Sequence, residues 1–177
     1  MCYICPNKPE IKKVALYHYK ECGLPNVYLG GIKVAHCKKC GERFPIIPSI
    51  LRLYEMIGEA VALKPHTLTG IEVKFLRKQL GLTAAEWASY MKTDKTNVSR
   101  WENDRQPMSK QADALIRYLY FRLLEEKNDT HIQQNISGRI TSVENRIDEE
   151  IGFKIPADNP AAYSFVPNSV LSHAAAC

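Results

Sequence analysis

The sequence has no apolar run long enough to suggest a membrane-spanning segment. No stretch approaches the roughly 18 consecutive apolar residues typical of a transmembrane helix, and the first residues lack the basic start and apolar core of a signal peptide. The expected location is therefore the cytoplasm. An apolar content of 45% and a charged content of 24% over 177 residues are ordinary for one or two folded domains.

Most of the cysteines are paired at short spacing. Six cysteines are present, and four of them form two Cys-x-x-Cys pairs: Cys2, Cys5, Cys37 and Cys40. In a reducing compartment such pairs bind metal or carry out redox chemistry more often than they form disulfides. A thioredoxin-like redox pair needs a strand-to-helix context within an alternating α/β pattern, which this sequence lacks. Cys22 and Cys177 have no such partner, so we expect free thiols there.

The two pairs predict one closed zinc site. A structural zinc ion takes about four ligands in a tetrahedron, and each Cys-x-x-Cys turn offers two converging thiolates. The 31 residues between Cys5 and Cys37 form a long spacer, but a β-hairpin would bring the turns together. Because four thiolates leave no open metal position, catalysis is not expected. His18 and His36 are interpreted as surface or packing residues.

Residues 1–48 are expected to form a small β-rich domain held together by that metal. Residues 11–19 and 26–36 are rich in β-branched and aromatic side chains, and Gly30-Gly31 suits a hairpin turn. Residues 49–66 predict a connecting helix that begins after Ser49, although Gly58 weakens a helix interior by roughly 1 kcal/mol. The positions predicted to share its apolar face are Ile50, Leu51, Tyr54, Ile57 and Val61.

Residues 67–127 predict an all-α domain. Thr69-x-x-Glu72 and Thr83-x-x-Glu86 have the form of capping boxes, so helices should begin near residues 70 and 84. Gly81 suits the end of the first helix. Asp94 is expected to cap a third helix that runs through Trp101, and a fourth is expected from about 109 to 127.

The C-terminal region, 128–177, predicts a helix and a loosely ordered tail. Six apolar residues recur at spacings of three or four: Ile132, Ile136, Ile140, Val143, Ile147 and Ile151. Such a stripe either packs on the chain's own domain or pairs at a dimer seam. Net charge is +5 over residues 1–66, +3 over 67–127 and −3 beyond. This distribution is compatible with nucleic-acid binding but does not establish it.

Residues 80–104 predict a helix-turn-helix, whose second helix enters the major groove of DNA. At about 100° per residue, Val98 and Trp101 share the side that faces the core. The opposite side is centred on Thr96 and would offer groups suited to base edges. The residues on or beside that face are Lys95, Thr96, Ser99 and Arg100. Asn97 lies nearer the Trp101 side and would contact a phosphate or a neighbouring helix.

Four segments of the sequence carry a resemblance to a known family. MCYIC with HCKKCG, followed by LTGIEVKFLRKQLGLTAAEWASYM and TNVSRWEND, resembles the MqsA/YgiT-type regulators over about residues 1–126. These join a zinc unit to a helix-turn-helix domain of the lambdoid-repressor (XRE) type. The resemblance implies an α+β chain, a structural zinc ion and a buried pair between Arg77 and Glu102. It also implies phosphate contacts at Thr83, Asn103 and Arg105.

The family resemblance sets the functional expectation. It implies a homodimeric repressor that binds a palindromic operator in double-stranded DNA and represses its own operon. The alternative is an antitoxin that neutralises a partner toxin through its N-terminal zinc domain, with DNA binding as its regulatory half. Two positions depart from the family pattern. Asp104 replaces the usual glycine after Glu-Asn and can still adopt a left-handed turn, but less freely, and Ala84 replaces a glutamine that often braces the DNA contact.

Overall fold

The chain is α+β and forms two compact units in a computed structural model that describes residues 4–128 and the backbone of 151–154 and 164–166. Unit 1 comprises Met1–Leu53 and Glu149–Cys177, and unit 2 comprises Tyr54–Asp148. Strands dominate the described part of unit 1, and helices that of unit 2. Within the described residues, no helix is both long and apolar enough to cross a membrane.

Five strands precede the first helix in unit 1. They are β1 (Glu10–Lys13), β2 (Leu16–His18), β3 (Val27–Gly30), β4 (Lys33–His36) and β5 (Arg43–Ile46). Strands β1, β4 and β5 form one antiparallel sheet, and β2 pairs with β3 in a second. Glu10 lies opposite His36 and His18 lies opposite Tyr28 without any slip in register, so residues 10–18 and 27–36 make one long hairpin.

The hairpin turn predicted at Gly30-Gly31 is wrong. The chain reverses instead between His18 and Val27, through a short 3-10 turn at Lys20–Cys22. Gly31, at φ 69°, lies in the middle of the ribbon, where its amide donates to the carbonyl of Ala15 at 3.0 Å. A positive φ is accessible to glycine without a steric penalty. The glycine pair therefore bends the ribbon between its two sheets rather than closing it.

Two further strands come from the C-terminal region. Strand β6 (Ile151–Lys154) runs parallel to β3, and β7 (Ser164–Val166) pairs antiparallel with β6. Ile151 was predicted to end a helix, and residues 152–177 were predicted to form a loose tail. Both predictions are wrong for these seven residues, which complete a four-stranded sheet in the order β2-β3-β6-β7. The helix predicted from Ile132 to Ile147 lies outside the described residues.

Five helices occupy the described chain from residue 50 to residue 128. They are α1 (Ile50–Leu63), α2 (Gly70–Gln79), α3 (Ala84–Tyr90), α4 (Lys95–Glu102) and α5 (Lys110–Asn128). Along α1, Leu53, Ile57 and Val61 are fully buried, whereas Leu51 is 77% exposed. The predicted apolar face of α1 was therefore rotated from the observed one, which uses Leu53 instead of Leu51.

At Gly58, inside α1, the side chains of Tyr120 and Gln79 pack directly against the helix backbone. A Cβ added at this position would lie 2.1 Å from the Tyr120 hydroxyl and 2.2 Å from Oε1 of Gln79. The Tyr120 hydroxyl donates to that same amide oxygen at 3.0 Å, and Nε2 of Gln79 donates to the carbonyl of Tyr54 at 2.8 Å. The glycine that weakened the helix prediction therefore leaves room for side chains of α2 and α5 against α1.

A buried arginine of α5 donates hydrogen bonds at the C-terminal end of α1. Arg117 is fully buried, and its Nε donates to Asp113 at 2.7 Å. Its remaining nitrogens donate to the carbonyls of Ala62, Lys64 and His66 at 2.6–2.8 Å. The bond to Ala62 satisfies a carbonyl of the last turn of α1, which has no intrahelical partner, and the other two fix the segment that follows the helix. The charge also suits the negative end of the helix dipole, so α5 holds α1 in place.

Candidate metal centre and nucleic-acid interface

Three cysteines of unit 1 form a cluster of sulfur atoms. The Sγ of Cys5 lies 3.4 Å from that of Cys37 and 3.7 Å from that of Cys40. The three ligand atoms all lie within 4.8 Å of one another. Thiolates on one tetrahedral ion, each at about 2.3 Å from it, would be about 3.8 Å apart. The observed spacing therefore fits three ligands of a single metal ion.

Strand pairing explains why these cysteines meet. Glu10 is paired with His36, so the residues before β1 lie beside those that follow β4. The second turn is closed by the amide of Gly41, which donates to the carbonyl of Cys37 at 2.8 Å, and Gly41 has φ 75°. Cys2, the fourth predicted ligand, lies outside the described residues, which supply three of the expected four.

Asn7 is a contributor to the cluster that the sequence analysis missed. Its Nδ2 donates to the Sγ of Cys5 at 3.3 Å. This bond, together with the Asn7 backbone amide and the neighbouring thiols, lowers the pKa of Cys5 to about 6. The thiolate is the form that binds metal, so Asn7 prepares Cys5 as a ligand. Asn7 follows Cys5 by two residues in the sequence, but a Cys-Pro-Asn segment is too short to predict this bond.

The other candidate groups in unit 1 are placed as packing residues. Cys22 is buried, its Sγ donates to the carbonyl of Tyr19 at 3.1 Å, and burial raises its pKa. His18 stacks on Tyr28 with ring centroids 4.6 Å apart. His36 is not part of the sulfur cluster. The described histidines of unit 1 thus match the packing interpretation, and Cys177 lies outside the described residues.

In unit 2, both predicted capping boxes are present. Thr69 accepts from the amide of Glu72 at the start of α2, and the Glu72 carboxylate accepts from the amide of Thr69. Thr83 and Glu86 repeat this exchange at the start of α3, where the bond from the Thr83 amide lowers the pKa of Glu86. Asp94 precedes α4, but its side chain makes no capping bond there, contrary to expectation.

Helices α2, α3 and α4 all end in the same way. In each case a left-handed residue follows the last helical position, and its amide and the next amide donate back to the final turn, as in a Schellman motif. The left-handed residue is Gly81 after α2 but Lys92 after α3 and Asp104 after α4. Sequence reasoning identified Gly81 and allowed a left-handed turn at Asp104, whereas Lys92 carries no such signal.

The end of α4 lies directly against the start of α2. A Cβ added at Gly70 would lie 2.3 Å from the carbonyl oxygen of Trp101, so no larger residue fits there without displacing backbone. Oδ1 of Asp104 accepts from the amide of Gly70 at 3.1 Å. Asp104 therefore satisfies a free amide at the start of α2.

The two faces of α4 have different environments. Val98 is fully buried and Trp101 is half-buried, as predicted. The outer face is exposed along the whole helix, and its residues are Lys95, Thr96, Ser99 and Arg100. Asn97 is half-buried, and its Nδ2 donates to the Thr93 hydroxyl at 3.0 Å. Asn97 is thus turned away from the centre of the outer face and supports the α3–α4 turn.

Three further polar residues were expected to contact phosphates. Arg105 is exposed in the segment after α4, and Asn103 is exposed with its Nδ2 donating to the carbonyl of Ser99 at 2.7 Å. Thr83 is exposed, and its hydroxyl accepts the capping bond from Glu86 at 3.2 Å. Asn103 retains one amide hydrogen and Arg105 its guanidinium donors, which is what contact with a phosphate requires, whereas the Thr83 hydroxyl is already bonded to the Glu86 side chain.

No protein-family model matches this chain, and neither a curated protein nor a solved structure shows significant similarity to it.

Proposed function

We propose that this chain is a sequence-specific DNA-binding repressor that acts as a homodimer on a palindromic operator and regulates its own operon. The observation that carries this proposal is the outer face of α4, on which Lys95, Thr96, Ser99 and Arg100 are all exposed. These residues carry no catalytic chemistry in the proposed function. Their chemistry suits base edges: an arginine or lysine fits guanine, and a threonine methyl fits thymine.

The arrangement of α3 and α4 supports a helix-turn-helix of the XRE type. Two short helices are joined by Met91–Asp94, and Lys92 in that turn has φ 51°. In such a motif the second helix lies in the major groove and the first crosses the backbone. Helix α4 would then read bases, and Thr83, at the start of α3, would contact a phosphate.

The frame behind α4 supports recognition because it is rigid. Glu102 at the end of α4 is bound to Arg77 of α2 by two hydrogen bonds of 2.5 and 2.8 Å, both largely shielded from water. Positions of base-reading side chains must be reproducible within a fraction of an ångström for a good bidentate contact. The buried ion pair between Arg77 and Glu102 fixes the position of α4 without using any residue of its outer face.

The proposed ion in unit 1 is zinc, with Cys2 as its fourth ligand. Three thiols at mutual spacings of 3.4–4.8 Å suit a soft or borderline cation, and a fourth thiolate would close a tetrahedron. The ion would supply a structural link between the start of β1 and the β4–β5 turn. Such a link is valuable in a unit whose described core is small.

Selection of bound sites from a random duplex library tests the proposal. Wild-type protein should enrich one palindromic sequence with half-sites about 34 Å apart. The informative variant is Arg100→Ala, which should relax the base preference at one position in each half-site. If the wild-type chain enriched no sequence above background, the repressor proposal would fail.

A further inference from the structure

Two lysines of unit 1 lie directly opposite each other near the bend of the long hairpin. Lys13 is the last residue of β1 and Lys33 is the first of β4, and the antiparallel register pairs one with the other. Both side chains are exposed. Residues paired in this way lie on the same face of a sheet, with Cβ atoms about 4.5–5.5 Å apart. The pair therefore concentrates two positive charges at one point of the surface.

The described part of the chain does not neutralise this pair. Residues 4–53 contain nine Lys/Arg and three Asp/Glu, a net charge of +6. Within the residues that the structure describes, neither Lys13 nor Lys33 forms an ion pair or a side-chain hydrogen bond. Like charges directly opposite each other destabilise a sheet. The pairing is thus a cost to stability that these residues do not offset.

The three acids of residues 4–53 are bound to other groups or lie elsewhere. Glu10 lies 3.3 Å from Nζ of Lys12 and 3.1 Å from Nζ of Lys38. The Glu21 carboxylate accepts a hydrogen bond from a tyrosine hydroxyl of β2. Glu42 precedes β5, at the end of the sheet away from the lysine pair. A ligand that compensates the pair must therefore carry negative charge of its own.

We propose that the Lys13–Lys33 pair binds the phosphate backbone of double-stranded DNA. This inference deepens the proposed function and rests on it for the choice of polyanion, while base reading stays with α4. Lysine binds phosphate as a point charge, and phosphate contacts position a protein without selecting a sequence. Lysine is also depleted in protein–protein interfaces, so two adjacent lysines favour a nucleic acid over an acidic protein.

The expected contribution to affinity depends on salt. A protein that neutralises phosphates releases their counterions, and each contact adds about 0.9 to the slope of log affinity against log salt. One contact is therefore worth about eightfold at 0.1 M salt relative to 1 M, and two are worth about sixtyfold. This contribution should be the same for every DNA sequence.

Titration of the full chain with a short duplex of random sequence, at several salt concentrations, tests the contact. Lys13→Ala and Lys33→Ala should each reduce the slope by about 0.9, and the double variant by about 1.8. Lys12→Ala is the matched control: it removes the same charge from the opposite face of β1, where the ammonium already lies 3.3 Å from Glu10. An unchanged slope in the double variant, or an equal loss in Lys12→Ala, would overturn the proposal.

A stability measurement separates a ligand site from an ordinary solvated surface. Lys33→Glu places a carboxylate opposite Lys13, so it should raise the melting temperature at low salt. The same change should weaken binding of the random duplex at least eightfold at 0.1 M salt. Opposite effects on stability and binding are expected of a site that is retained for function. A variant with raised stability and wild-type affinity for DNA, or one with a lowered melting temperature, would contradict the proposal.

Other occupants of the pair give different results. If an acidic protein or the acidic residues 128–177 neutralised it, Lys13→Ala and Lys12→Ala would bind the duplex alike, which overturns the proposal. Failure of the proposed function has another signature: no sequence is enriched from the duplex library, yet the salt slopes of these two variants still differ. Conversely, an enriched operator whose binding is insensitive to both Lys13 and Lys33 would remove unit 1 from the DNA contact and leave α4 as the base-reading helix.

Discussion

Arg77 and Glu102 form a two-bonded ion pair that fastens the end of α4 to the middle of the helical unit. Nε and Nη2 of the arginine donate to the two carboxylate oxygens at 2.5 and 2.8 Å. Nη1 donates to the carbonyl of Leu82 at 2.7 Å, and the bond to Glu102 raises the pKa of Arg77. One guanidinium therefore links α2, α4 and the segment before α3.

Removing one member of this pair should destabilise the protein strongly. We expect Glu102→Ala to lower the free energy of unfolding by about 3–5 kcal/mol, because it leaves the buried Arg77 charge without its main partner. Arg122→Ala, which breaks an exposed pair with Glu126, should change it by less than about 1 kcal/mol. Urea denaturation followed by circular dichroism measures both.

A double variant separates the cost of an unpaired charge from the value of the pair. Replacing Arg77 by Met together with Glu102 by Leu leaves no buried charge, so much of the lost stability should return. If the double variant were as unstable as Glu102→Ala alone, the loss would come from the removed contacts themselves.

The second prediction concerns the stability effect of the left-handed residues at the helix ends. A side chain at φ near +50° costs on the order of 1 kcal/mol relative to glycine. Lys92→Gly should therefore stabilise the unit by about that amount, and Gly81→Ala should destabilise it similarly. Asp104→Gly should be close to neutral, because relief of the backbone is offset by loss of the bond to Gly70. Thermal unfolding should therefore show a raised melting temperature for Lys92→Gly, a lowered one for Gly81→Ala and little change for Asp104→Gly.

Local signals predicted the helices of unit 2 well. The capping boxes at Thr69 and Thr83 and the glycine at position 81 are short-range features whose geometry depends on a few neighbouring residues. The hairpin turn was wrong because Gly30-Gly31 also suits a bend within a ribbon, and only the pairing of Glu10 with His36 distinguishes the two. Strand partners separated by many residues leave no such local signal.

Gly58 shows how a long-range contact reverses a propensity argument. Gly58→Ala should favour the helix by roughly 1 kcal/mol in isolation. In the protein, the fully buried Tyr120 ring leaves no room for the new methyl group, so we expect a net loss of about 1–3 kcal/mol. Chemical denaturation measures this change. Adding Tyr120→Phe removes the closest atom and should recover part of the loss; a stabilised Gly58→Ala would contradict the packing observed here.

The cysteine cluster was predictable because the spacing of cysteine pairs is a sequence property. Each Cys-x-x-Cys pair indicates a turn whose two thiolates converge. Strand pairing then places Cys5 close to Cys37 and Cys40. The role of Asn7 was not predictable, because it depends on where its amide points rather than on any spacing. Burial of Cys22 likewise follows from tertiary packing and not from its neighbours in sequence.

Metal content tests the cluster directly. Purified wild type should hold about one zinc ion per chain, and Cys37→Ser should lose most of it because one ligand of the tetrahedron is gone. Cys22→Ser is the matched control, since this buried cysteine is outside the cluster and should leave the zinc content unchanged. Elemental analysis gives the ratio. Equal zinc in Cys37→Ser and wild type would show that the cluster does not hold the ion.

Arg100 and Arg105 should affect DNA binding in different ways, although both are exposed and carry the same charge. Arg100 lies on the outer face of α4, so Arg100→Ala should cost about 1–3 kcal/mol for the preferred operator and relax selectivity at one base position. Arg105 follows the helix and is expected to meet a phosphate. Its loss should weaken all sequences alike and reduce the slope of log affinity against log salt by about one.

Binding titrations on the selected operator and on a scrambled duplex, each at several salt concentrations, separate the two effects. Arg100→Ala should narrow the gap between the two duplexes, whereas Arg105→Ala should lower both affinities and preserve the gap. Because the net charge changes equally in both variants, a purely electrostatic contribution would make them indistinguishable. Identical behaviour of the two variants would therefore remove α4 from the role of base-reading helix, even if the chain binds DNA.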